Sequence, residues 1–155
     1  MDSLLALWTA APTLKVQLLI ILILCQMGIT VWCYSAMSKA RVAAVKANKV
    51  TPETYRAVGD GEPEELRVYT RLVANQFELP VLFYAIVIAG LAINVSSWIT
   101  VVLAAVFVIT RVRHAREMVG EHVVLRRRKL FIQSARVTLL LMLDLLISAL
   151  FFLQV

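Results

Sequence analysis

LKVQLLIILILCQMGITVWCYSAM, residues 14–37, holds one charge, Lys15, among 24 residues. Wound into a helix that rises ~1.5 Å per residue, it is ~36 Å long, enough to cross a ~30 Å hydrocarbon core. The whole chain shares this character: 61% of its residues are apolar, 17% are charged, and the mean hydropathy is +0.81. A soluble domain of 155 residues has too little interior to hide so much apolar side chain. Cys25 and Cys33 both lie in this first run. Eight apart on one helix, they are poorly placed to bridge and match no metal spacing, so they read as small apolar residues. No cleavable signal peptide is evident, because the N-terminus carries Asp2 and the first run is long.

Three further runs complete an all-α integral membrane protein, a four-transmembrane-helix bundle in one domain, 1–155. The spans are read at 14–37, 68–93, 97–118 and 130–153, with loops at 38–67 and 119–129. In the first loop, Thr51-Pro52-Glu53 gives an N-cap, a proline at the first helical position and an early acid, which predicts a short surface helix. Gly59-Asp60-Gly61 reads as a turn and Pro63-Glu64-Glu65 as a helix restart. Asn94-Val95-Ser96-Ser97 makes a tight uncharged turn with a serine ready to cap the next helix.

Charge sets the orientation. Of the 16 Lys and Arg, only Lys15 lies on the side of the termini and the Asn94 turn. The others cluster in or beside the loops after the first and third spans, including Arg126-Arg127-Arg128-Lys129, so the positive-inside rule makes both loops cytoplasmic and both termini external. The net charge of +6 therefore points to membrane lipids and not to nucleic acid, for which no fold pattern is present. Short loops and the lack of a retention signal suggest a bacterial inner membrane.

The polar residues inside the spans carry the chemistry. Arg71, Asn75 and Glu78, spaced i, i+4 and i+7, share one helical face in a segment that must be shielded from lipid. Either Arg71 and Glu78 lock neighbouring helices together or the face lines a polar pocket. Pro80 is placed to kink the helix and free a carbonyl near that face. Arg111 and His114, at i and i+3, form a second cluster at the end of the third span, open to a solvated or a functional reading. Arg113 and Arg116 are expected to snorkel to headgroups. Asp144, in the last span, is expected to pair with Arg71 or Arg111 across helices, or to belong to a polar pathway. Gln133 and Ser134 enter the same helix where they can reach a pocket.

The run Arg71-x-x-x-Asn75-x-x-Glu78-x-Pro80, followed by Arg111-Val-x-His114, resembles the MAPEG family, membrane-associated proteins of eicosanoid and glutathione metabolism. The likeness covers the whole chain. It implies a homotrimer with glutathione, as co-substrate, bound at subunit interfaces near the cytoplasmic side. Arg71 would take a glutathione carboxylate, Glu78 the ammonium and Asn75 the peptide groups, with His114 lining the site and Arg111 bracing it. A guanidinium beside the thiol would favour the thiolate over a free thiol of pKa about 8.5. Arg127 is the favoured candidate, with Arg126, Arg128 and Arg136 as alternatives, and the triplet also serves as a membrane anchor. Where well-studied eicosanoid-pathway members carry tyrosine four residues after this histidine, the chain has Met118, so a hydroxyl near the thiol is missing.

Two functions of different class follow. One is a glutathione-dependent membrane transferase or peroxidase acting on lipophilic electrophiles that arrive from the bilayer. The other is a non-catalytic scaffold or modulator that keeps the fold and a polar lock. A small transporter fits less well, because the charges cluster at one face and no inverted repeat is evident. No phosphate-cradling glycine loop, zinc spacing or Ser-His-Asp set competes.

Overall fold

The computed structural model describes residues 13–56, 61–120 and 124–152. They form five α-helices: α1 (Leu14–Lys46), α2 (Glu64–Ala74), α3 (Leu79–Ala92), α4 (Trp98–Val119) and α5 (Val124–Phe152). With α2 and α3 taken together across their junction, four helical segments are long and apolar enough to span a membrane. The hydropathy reading anticipated four. Of the predicted Gly59-Asp60-Gly61 turn, the first two residues lie outside the described residues, and Gly61 adopts φ +80°.

Two asparagines end helices in the same way. Asn48 and Asn94 adopt φ +53° and +57°, the left-handed region that asparagine tolerates. After α1, Lys49 N–H bonds to Ala44 C=O and Asn48 N–H to Val45 C=O, each at 3.0 Å. After α3, Val95 N–H reaches Gly90 C=O at 2.8 Å and Asn94 N–H reaches Leu91 C=O at 3.2 Å. Gly90 eases this close approach, because a Cβ at its position would meet the Val95 carbonyl oxygen at 3.0 Å, tighter than ordinary contact. Ser97 then caps α4, as the sequence foretold, and Thr100 returns a hydrogen bond to it, completing a capping box. Thr51-Pro52-Glu53 opens only a single 3₁₀ turn, Pro52–Tyr55.

The second span is not a continuous helix. A 3₁₀ turn at Asn75–Phe77 separates α2 from α3, and Glu78 sits between them at φ −98°, ψ −103°. Pro80 cannot donate to the Gln76 carbonyl, so the α-helical ladder lapses where the polar residues stand. α5 corrects a second expectation. It begins at Val124, so Arg126 to Lys129, assigned from sequence to a loop, lie on its first turns. No glycine or proline interrupts 124–130, and Leu, Arg and Lys are good helix formers. The cations therefore have fixed faces.

The core draws on all four spans. Leu19 and Ile23 of α1 meet Phe83 and Val87 of α3, Ala104 and Phe107 of α4, and Leu141 of α5. The Phe83 and Phe107 rings stack with centroids 4.5 Å apart and planes 6° from parallel. Lipid is as apolar as these side chains, so the core is held by close packing more than by exclusion of water. A smaller cluster, Cys33, Leu72, Val73, Ala115 and Met118, lies toward the basic end of the bundle.

Candidate functional site

The break after α2 positions the site. Arg71 stands in the last turn of α2, Asn75 opens the 3₁₀ turn and Glu78 closes it. All three line a cavity of about 520 Å³. α4 contributes His114 and Met118 to its wall, and α5 contributes Arg127, Arg128 and Phe131. Arg127 and Arg128 face this cavity only because α5 starts early. Three arginines and one carboxylate make a pocket suited to an anion that also carries a cationic group.

Behind this wall lies Arg111, fully buried. Its Nη2 donates to the Asn75 carbonyl at 2.7 Å, so a guanidinium holds the backbone at the helix break. Its Nε and Nη1 have no hydrogen-bond partner among the described residues. Glu78 lies within electrostatic range, but forms no ion pair with it among the described residues. His114 is 2% exposed, its Nδ1 has no partner among the described residues, and its ring lies 6.1 Å from that of Phe131. The Asn75 side-chain amide donates to the Met118 sulfur at 3.2 Å.

The four apolar spans are consistent with the comparison across known families. The model of the MAPEG family matches residues 16–147. The chain belongs to the MAPEG family. It is thus an integral membrane protein of a family that includes glutathione transferases and peroxidases. Neither the curated proteins nor the solved structures compared with it gave a match.

Within this MAPEG chain the cavity gathers Arg71, Asn75, Glu78, His114, Arg127 and Arg128. Arg111 braces the site from behind and does not line it. Arg126 faces a different cavity, on the opposite side of α5, and Arg136 is exposed further along that helix. The Arg71–Glu78 lock does not form: both side chains are exposed, and neither makes an ion pair among the described residues. Glu78 lies beyond the end of α2, in a non-helical conformation, so the i, i+7 geometry fails.

Asp144 also departs from expectation. It pairs with neither arginine, because it sits at the opposite end of the bundle. There it accepts hydrogen bonds from Ser97 Oγ at 3.2 Å and Thr100 Oγ1 at 2.5 Å, tying α5 to the cap of α4. Lys15 Nζ donates to the Ser96 carbonyl at the same end, at 2.9 Å. Ser134 is buried in the helix interface, bonded to Thr110 and Leu130, and does not reach the site; Gln133 lines the cavity that holds Arg126.

Sequence reasoning missed two polar links, one buried and one partly buried. Gln26 Nε2 donates to Gln76 Oε1 at 3.2 Å, joining α1 to the helix break. An amide in the middle of the first apolar run was the available signal. Arg41, Glu62 and Thr70 form a second link at the basic end, with Arg41–Glu62 at 3.0 Å and Thr70–Glu62 at 2.7 Å.

Proposed function

We propose that this protein is a glutathione-dependent transferase or peroxidase that conjugates or reduces lipophilic electrophiles, at a site that a neighbouring copy in a homotrimer completes. The convergence of Arg71, Asn75, Glu78, His114 and Arg127 on one cavity supports this reading. Glutathione carries two carboxylates, one ammonium, two peptide groups and a thiol. In this reading Arg71 and Arg128 take carboxylates, Glu78 takes the ammonium, and Asn75 and His114 bond the peptide groups. Arg127 stands by the sulfur and favours the thiolate, which is the nucleophile.

In conjugation the thiolate pair forms a carbon–sulfur bond, and the leaving group departs with its own bonding pair. With a hydroperoxide the sulfur attacks oxygen, the O–O bond breaks, and the alkoxide takes a proton to leave as an alcohol. The first sulfur is left as a sulfenic acid; the thiolate of a second glutathione attacks it, an S–S bond forms as the S–O bond breaks, and the departing hydroxide takes a proton to leave as water. The electrophile enters sideways from the bilayer. The basic end faces the cytoplasm and both termini face outward, in keeping with the positive-inside rule and a bacterial inner membrane.

The thermal midpoint of the detergent-solubilised protein, with and without millimolar glutathione, tests the reading. Ligand at about 100 times its dissociation constant stabilises the folded state by about 2.7 kcal/mol. The rise is expected in the native chain and absent in Arg71→Ala and Asn75→Ala. No rise at any concentration rejects it. One observation favours a scaffold instead: the Asn75 amide is already directed to the Met118 sulfur. A scaffold predicts that Asn75→Ala changes the midpoint equally with and without glutathione.

A further inference from the structure

The basic side of α5 that turns away from the glutathione cavity forms a second cleft, of about 480 Å³, between α4 and α5. Among the described residues Arg113, Arg116, Arg126 and Lys129 line it, together with the carboxylate of Glu117. Arg113, Arg116 and Lys129 alone outnumber that carboxylate. Glu117 Oε1 is buried and has no hydrogen-bond partner among the described residues, so it is an acceptor awaiting a donor. On the neighbouring face of α4 lies an apolar groove of about 610 Å³ against α1, walled by Ile29, Trp32, Val108 and Val112. Arg116 lines both, at the end of the groove nearest the cleft.

The floor of the groove is set by Gly28. A Cβ added there meets nothing within 4 Å, so the missing side chain leaves open volume where the chain has nothing to pack. From Val108 to Arg116 the groove runs ~12 Å along α4, toward the basic end. A basic cleft with an acceptor, sharing the Arg116 side chain as a wall with an apolar trough, suits an amphiphile with an anionic, hydroxyl-bearing head.

We propose that each chain holds one anionic phospholipid of the phosphatidylglycerol type, its phosphate among Arg113, Arg116 and Lys129, its headgroup hydroxyl on Glu117, and one acyl chain against Gly28. This goes beyond general attraction of cations to an anionic surface, because it fixes one lipid per chain and couples headgroup to groove. It is independent of the glutathione reading.

Native mass spectrometry of the purified protein, titrated with phosphatidylglycerol and with phosphatidylcholine of the same chains, tests it. One phosphatidylglycerol per chain is expected at a concentration at least about tenfold below that needed for phosphatidylcholine. Arg113→Gln and Lys129→Gln, both at exposed positions, should each weaken binding by about fivefold. Gly28→Leu fills the groove and suits a helix better than glycine, so the variant is expected to fold. It should weaken long-chain phosphatidylglycerol and leave the dihexanoyl form unchanged. Equal binding of the two lipids, or unaltered long-chain binding in Gly28→Leu, overturns the proposal. Displacement of the lipid by millimolar inorganic phosphate also overturns it, by showing a site for soluble anions.

Discussion

Arg111→Met tests whether the guanidinium behind the site serves stability or function. Methionine keeps an unbranched side chain of similar reach and removes the charge. The loss is one charge-assisted hydrogen bond, Nη2 to the Asn75 carbonyl at 2.7 Å, worth about 1.5–3 kcal/mol. The gain is relief of two buried donors, Nε and Nη1, that lack partners among the described residues, at about 1–3 kcal/mol each. The two relieved donors sum to about 2–6 kcal/mol against about 1.5–3 lost, so the variant should lie between about 1 kcal/mol less stable and about 4 kcal/mol more stable than the native chain. A fully compensated buried ion pair would behave differently, costing about 3–5 kcal/mol when one partner is removed. Reversible unfolding in mixed micelles, followed by far-UV circular dichroism, separates the two. The Asn75–Glu78 break would lose its anchor in the variant, and the proposed glutathione-induced rise in midpoint should fall or vanish. A loss above about 3 kcal/mol with that rise intact would refute the reasoning, and would make Arg111 a structural residue.

Asp144→Ala should destabilise the protein by about 2–3 kcal/mol, because it strips the acceptor from Ser97 and Thr100 at the α4 cap; Asp144→Asn should recover most of that in the same unfolding assay. Phe107→Ala removes one ring of the stacked pair. With no transfer from water to lose, the void dominates, and about 100 Å³ at ~24 cal/mol per Å³ gives about 2.4 kcal/mol, read from the unfolding midpoint. Glu62→Ala leaves Arg41 and Thr70 without their acceptor, at about 2–3 kcal/mol, and should speed limited proteolysis between α1 and α2; an unchanged digestion rate would count against that link.

The four spans were legible because each is an apolar run long enough to cross a bilayer, and that property is local. The serine cap of α4 was legible for the same reason, although its reciprocal partner Thr100, three residues on, was not read. The start of α5 was not, because Arg126 to Lys129 carry the charge of a membrane-flanking loop while having the backbone preference of a helix. Only the fold decides between these, and it divides the tetrad, with Arg127 and Arg128 facing one cavity and Arg126 and Lys129 the other. Asp144 was misassigned because its partners lie 44 and 47 residues away, and its depth in the bundle cannot be read from the run of leucines around it. Pro80 was read as a kink that frees a carbonyl, and the structure goes further, with a 3₁₀ turn and a non-helical Glu78 before it. That the freed backbone would be held by Arg111 required the packing of α4 on the second span.

Arg71 and Glu78 leave one argument about assembly. Both are exposed side chains in a 29-residue segment apolar enough to span a membrane. A charge facing lipid at depth costs several kcal/mol unless it finds a partner or snorkels to the surface. This chain supplies neither residue with an ion pair among the described residues, although each has a cavity beside it. The face is therefore unfavourable in a solitary chain and favourable once polar groups cover it. A bound zwitterionic peptide and a neighbouring copy would both serve, and the proposed function uses both. The two are separable by measurement. If assembly alone meets the need, Glu78→Gln shifts the mass distribution of the detergent-solubilised protein toward single chains without glutathione present. If the ligand alone meets it, the distribution is unchanged and only the glutathione-dependent midpoint falls.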